Sequence, residues 1–99
     1  MTTKPLLDWT AIEADVRTAV DCEYGPPRPE QISFVKVNYI ADRVLNNKKI
    51  YPSFERCEPR TARVWIGIVF QDRIKWERFA KARGRRGSAI YIRPSLVVA

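Results

Sequence analysis

Apolar positions near the start of the chain recur at helical spacing. Trp9, Ile12, Val16, Ala19 and Val20 share one face of a 3.6-residue period, which predicts a helix over residues 9–21 behind an N-terminal arm of residues 1–8. Asp8 or Thr10 can cap its start, and Thr10 with Glu13 three positions on fits a capping box. Glu13, Asp15, Arg17 and Asp21 lie off the apolar stripe. The run Gly25-Pro26-Pro27-Arg28-Pro29 is too short to separate domains and reads as a stiff, extended connection. Beyond it the period changes. Residues 32–37 are short, β-branched and partly alternating, as a small strand requires.

Helical spacing returns at Val37, Ile40, Ala41, Val44 and Leu45, predicting a second helix over residues 38–47 with Asn38 as its N-cap. Asn46-Asn47-Lys48-Lys49 suits its C-terminal end. Residues 50–58 read as a loop anchored by Tyr51 and Phe54. Residues 60–72 admit two readings. As a helix, Pro59 falls in the first turn and Ala62, Trp65, Ile66, Val69 and Phe70 form a core-facing stripe. As a strand, Val64, Ile66, Ile68 and Phe70 would be the buried face. We read a third helix here, with the strand as the alternative. Residues 74–93 resemble a two-stranded ribbon tipped by Gly84-Arg85-Arg86-Gly87, where glycine supplies the positive φ of a tight turn. The competing reading makes residues 73–83 a helix closed by Gly84. Pro94 ends the last strand.

Composition narrows the chemistry. One domain of 99 residues has a modest core, and a hydrophobic content of 45% predicts that it folds. With no histidine, no Ser-His-Asp or Cys-His nucleophile can form and no zinc site can use imidazole. Cys22 and Cys57 leave either a single bridge or two free buried thiols, and the second suits a reducing cytoplasm. No apolar run approaches the about 18 residues of a membrane span, and no signal-type apolar core follows Met1-Thr2-Thr3-Lys4-Pro5. The expectation is a cytoplasmic protein with no membrane partner.

Charge is the most informative feature. Residues 1–42 carry four basic and seven acidic side chains, whereas residues 73–99 carry eight basic groups against Glu77 alone. That last block has a net charge of +7, equal to the net charge of the whole chain. Basic groups gathered in one segment are the footprint of a polyanion binder. Interleaved Trp76, Phe79, Ile90, Tyr91 and Ile92 separate this segment from a merely solvated tail.

The order helix, strand, helix, loop, helix, basic hairpin resembles the winged helix-turn-helix family. Residues 37–45 match its second helix, residues 60–71 its recognition helix and residues 74–93 its wing. The apolar helix followed by a basic hairpin ending in Ile90-Tyr91-Ile92 looks particularly like small modules of archaeal and phage replication proteins. The connection over residues 47–59 is longer than the family's usual turn. The resemblance implies an α+β fold of three helices with a small β-hairpin wing, and double-stranded DNA as partner. The third helix would then lie in the major groove, with Arg60, Arg63 and Gln71 as base readers and Gly67 permitting close approach. Arg85 and Arg86 would reach the backbone or minor groove from the wing tip. Lys75, Arg78, Lys81 and Arg83 on the ribbon, with Lys48 and Lys49, would contact phosphates. A homodimer through residues 9–21 is a further expectation.

Such a module would act in transcription regulation or replication. It would use no catalytic residue, cofactor, metal or small-molecule substrate. Two other classes compete with it. A protein-interaction adaptor would bind an acidic partner and present an apolar patch from Val64, Ile68 or Tyr51. A single-stranded nucleic acid or RNA binder would stack bases on Trp76, Phe79 and Tyr91. Nuclease chemistry has little support, because the acids lie mainly within residues 8–30, away from the basic segment.

Overall fold

A computed structural model describes residues 7–80 and 89–96. Three helices and a three-stranded antiparallel sheet follow in the order α1 (Trp9–Tyr24), β1 (Ser33–Lys36), α2 (Val37–Asn46), α3 (Pro59–Ile68), β2 (Glu77–Ala80) and β3 (Ile90–Arg93). The fold is α+β. β3 is the central strand, pairing β1 on one side and β2 on the other.

α1 begins at Asp8, whose carboxylate accepts the Ala11 N–H at 3.1 Å. The expected Thr10–Glu13 box does not form, because Glu13 turns to Arg17 and Arg73 instead. The helix runs three residues past Asp21 and stops at Gly25, whose φ of 81° only glycine adopts without strain. The extra turn brings the Tyr24 hydroxyl to the backbone N–H of Lys36, from which it accepts at 3.0 Å. Ile12, Val16, Ala19 and Val20 are all buried, so the apolar stripe of α1 packs within the chain.

β1 is shorter than the predicted strand and leaves Ile32 outside the ladder and exposed. α2 starts at Val37, one residue before the expected Asn38 cap. Its first N–H bonds to the Ala89 carbonyl at 3.0 Å, so the chain entering β3 replaces a side-chain cap. At the other end the Asn47 side chain donates to the Arg43 carbonyl at 2.8 Å. The long connection to α3 is not loose. It contains a short 3₁₀ turn (Pro52–Phe54), buries Tyr51 and Phe54, and is held to α1 by the Ser53 N–H donating to Asp15 at 3.1 Å.

Residues 60–72 are helical, which removes the strand alternative. α3 itself ends at Ile68 and continues as one wide π-type turn over Val69–Arg73. The Ile74 N–H reaches the Val69 carbonyl and the Trp76 N–H the Phe70 carbonyl, both at 2.8 Å, while Lys75 adopts a left-handed φ of 61°. The chain then extends into β2, so residues 77–80 are strand where the competing reading placed a helix over 73–83. The strand starts at Glu77 rather than at residue 74, and its register against β3 shifts between Arg78 and Ala80. The expected tip, Gly84 to Gly87, lies outside the described residues.

Alternation along β3 sends Tyr91 and Arg93 inward and leaves Ile90 and Ile92 half-buried on the other face. Phe70 joins α3 to the sheet, contacting both Trp76 (ring centroids 5.0 Å apart) and Tyr91 (5.3 Å). Cys57 is buried and Cys22 exposed, both as free thiols, so the expectation of two buried thiols is corrected at Cys22. Residue 22 lies on the solvent side of the turn that extends α1.

Candidate nucleic-acid interface

The exposed face of α3 follows from its own periodicity. Ala62 and Ile66 are drawn into the core, so Arg60, Arg63 and Val64 face solvent, with half-buried Gly67 one turn further on. A β-carbon built on Gly67 would meet no atom within 4 Å. The packing of the fold therefore does not require glycine there, although glycine weakens a helix interior.

Four of the arginines are ion-paired within the fold. Arg17, Arg43, Arg73 and Arg93 are ion-paired to carboxylates of α1: Glu13, Glu23, Glu13 and Asp21 respectively. Burial pushes the Glu13 carboxyl upward, but Arg17 and Arg73 together outweigh this and hold it below its ordinary value. Arg93 is the most enclosed of the four. Its side chain is 6% exposed, and its guanidinium donates to Asp21 (3.2 Å), the Gly25 carbonyl (2.8 Å) and the Ser33 hydroxyl (3.1 Å). Arg73 and Arg93 thus leave the basic block that sequence counting assigned to a partner. Their carboxylates stand 60 and 72 residues away in sequence, so no local signal marks them.

Arg28, Lys49 and Arg56 are exposed without an ion pair among the described residues, and so are Arg60, Arg63, Lys75 and Arg78 on α3 and the chain that follows it. Arg78 stands opposite Tyr91 in the β2–β3 ladder, and the Tyr91 hydroxyl donates to Gln71 Oε1 at 3.3 Å. Tyr91 thus has Arg78 as its ladder partner and Gln71 as its hydrogen-bond acceptor, where the turn after α3 meets the sheet. Gln71 is exposed, but its amide oxygen is turned to β3 rather than outward alone. Lys48 and Lys49 line a shallow cavity of about 280 Å³ with Pro52 and Glu55. Burial pushes the Cys57 thiol pKa up, and the Lys48 ammonium opposes that shift. Lys48 shares that cavity with Pro52 and Glu55 of the connection that leads into α3. Lys81, Arg83, Arg85 and Arg86 lie outside the described residues.

The aromatic residues are arranged differently from the stacking platform considered above. Tyr91 is buried and Trp76 lies against Phe70, so of the three only Phe79 is exposed. Phe34 on β1, whose sequence neighbours carry no sign of a site, joins it at 4.9 Å between ring centroids. For the adaptor patch, Val64 is exposed, Ile68 half-buried and Tyr51 buried.

A cleft of about 270 Å³ runs between α1 and the exit of β3, with Arg17, Asp21, Trp76 and Arg93 in its wall. The charged groups of that wall are already bonded: Arg17 to Glu13 and Asp21 to Arg93. Among the described residues no group of three cysteine or carboxylate side chains is arranged to hold a metal ion, and no helix is long and apolar enough to cross a membrane. Comparisons of the chain with protein-family models, curated proteins and solved structures returned no match, so the reading of this surface rests on its own geometry.

Proposed function

We propose that the chain is a non-enzymatic, double-stranded DNA-binding module of the winged helix-turn-helix type, acting in transcription regulation or replication. α3 enters the major groove with Arg60 and Arg63 toward the base edges, and the β2–β3 ribbon follows the phosphate backbone. The observation that carries this reading is the partition of the arginines. Arg17, Arg43, Arg73 and Arg93 are ion-paired within the fold, whereas Arg60 and Arg63 on α3 and Arg78 on β2, the strand that follows it, are exposed and have no ion pair among the described residues. Supporting it, β2 and β3 follow α3 directly as an antiparallel pair, with β1 on the far side of β3. A wing beside a recognition helix needs that connectivity. Guanidinium groups suit the task because they bridge guanine O6 and N7 and also pair with phosphate.

Fluorescence anisotropy with labelled double- and single-stranded DNA of one sequence, titrated against salt, tests this. Tighter duplex binding is expected, with the logarithm of affinity falling against log salt by about 0.9 per phosphate contacted. Arg60→Ala and Arg63→Ala should change which sequences are preferred, while Arg78→Ala should weaken all sequences alike. Absence of binding to either form at low salt overturns the reading in favour of an acidic protein partner.

A second reading draws on the exposed Phe34–Phe79 pair, which offers two π faces to unstacked bases. Preference for the single strand, lost in Phe34→Ala, would move the site there.

A further inference from the structure

Val64 is 56% exposed on the same face of α3 as Arg60 and Arg63, and it is a branched aliphatic side chain. It belongs to neither the buried stripe nor the charged set. One turn on, Gly67 leaves open space where a β-carbon would stand. The stripe Arg60, Arg63, Val64, Gly67 therefore runs from charged, to apolar, to no side chain over about 10 Å of helix. In the major groove these three surfaces meet different features of a base pair. Guanidinium groups match the paired acceptors of guanine, and an aliphatic group matches the 5-methyl of a pyrimidine. A bare backbone lets the duplex come close enough for the aliphatic contact to exclude water.

We infer that Val64 is a specificity-determining residue that reads the major-groove methyl group of a pyrimidine, thymine or 5-methylcytosine, near a guanine read by Arg60 or Arg63. Arg60 and Val64 are four residues apart and neighbours on one helix face, about 6 Å apart along the axis, so the two features lie within about two base-pair steps of each other. This inference rests on the duplex-binding reading and adds the chemistry that the helix selects.

The test begins by selecting preferred duplexes from a random-sequence pool with the full chain. Each thymine of the selected site is then replaced singly by uracil, which removes the methyl and leaves the pairing edge unchanged. One thymine should lose about fourfold in affinity on replacement, the factor expected for one methyl group withdrawn from contact. Val64→Ala should abolish that difference and Val64→Ile should keep it, with circular dichroism unchanged and the melting temperature not lowered in either, because residue 64 is outside the core and both replacements are at least as good helix formers as valine. Replacing the sensitive thymine by 5-methylcytosine separates the sources: retained affinity assigns the contact to the methyl alone, and lost affinity assigns it to thymine. Uracil replacement without effect at every position, or an effect that survives in Val64→Ala, overturns the inference while duplex binding stands. Failure of the chain to bind any duplex overturns both.

Discussion

Phe34 and Phe79 meet across a strand that separates them. Phe34 lies on β1 and Phe79 on β2, the two outer strands, yet their ring centroids are 4.9 Å apart at an interplanar angle of 59°. The rings meet on the face of the sheet that carries Ile92, the ladder partner of Phe34. A tilted aromatic pair of this kind couples its two residues by about 0.5–1.5 kcal/mol beyond buried area. A double-mutant cycle on Phe34→Ala and Phe79→Ala, read by urea unfolding, should return a coupling in that range. Coupling near zero would mean that the two rings act independently and that the outer strands are tied only through the β3 ladder.

The Glu13–Arg73 pair ties α1 to the turn that ends α3, with Glu13 Oε1 accepting from Arg73 at 3.0 Å. The Glu13 carboxyl titrates below its ordinary value in the folded protein, because Arg17 and Arg73 outweigh the upward push of burial. Its stabilising effect is therefore fully present above the unfolded glutamate pKa of about 4.3 and is lost as the pH falls through the lower folded value. Both partners are partly exposed, so the pair contributes at most about 1 kcal/mol, and less at high salt. Unfolding midpoints measured between pH 3 and pH 7 should decline less on acidification in Glu13→Gln than in the parent chain. An identical decline in both would assign the acid sensitivity to other carboxylates.

Arg93 and Arg78 lie on neighbouring strands of the basic ribbon yet differ in what they bind. Arg93 donates to three acceptors from within the fold, whereas Arg78 is exposed and without an ion pair among the described residues. Removing a buried, multiply bonded guanidinium orphans its acceptors, which cost about 1–3 kcal/mol each where water cannot replace the bond. Arg93→Ala should therefore lower stability by about 2–3 kcal/mol in denaturant titrations, a large share of what a domain this size has. Arg78→Ala should change stability by less than about 0.5 kcal/mol and lower duplex affinity by reducing the salt slope by about one phosphate contact. The reverse pattern would overturn the division of the arginines.

The helices were legible because each rests on local periodicity. Trp9 to Val20 repeats over three turns, and Pro59 with Ala62 and Ile66 marks both the start and the inward face of α3. The sheet was less so, because its ladder depends on partners far apart in sequence: Ser33 with Arg93, and Glu77 with Ile92. The same distance hides the ion pairs. Nothing near Arg73 or Arg93 in sequence indicates that α1 supplies their carboxylates, so both counted toward an external anion. Trp76 had a stacking role only in the single-stranded alternative. The wide turn at Val69–Arg73 carries it back onto Phe70, against the core. Arg60 and Arg63 were legible as surface residues, since the face opposite a buried helical stripe is fixed by the stripe itself.

Gly67 separates the needs of the fold from those of a ligand. It lies inside α3, where glycine is about 0.8–1 kcal/mol less favourable than alanine. A methyl group added there meets nothing within 4 Å, and its backbone is in the helical region, so the fold gains no packing or turn geometry from glycine. Gly67→Ala should accordingly raise stability by about 0.5–1 kcal/mol in chemical denaturation. If the duplex presses against this stretch of α3, the same methyl group stands in its way, and affinity for duplex DNA should fall while the protein becomes more stable. Opposite signs in the two measurements are the expected result, and they exclude loss of folding as the cause of weaker binding. A variant that gains stability and binds duplex DNA as well as the parent chain would mean that no backbone approaches Gly67, and the contact would have to be carried by Arg60 and Arg63 nearer the start of the helix.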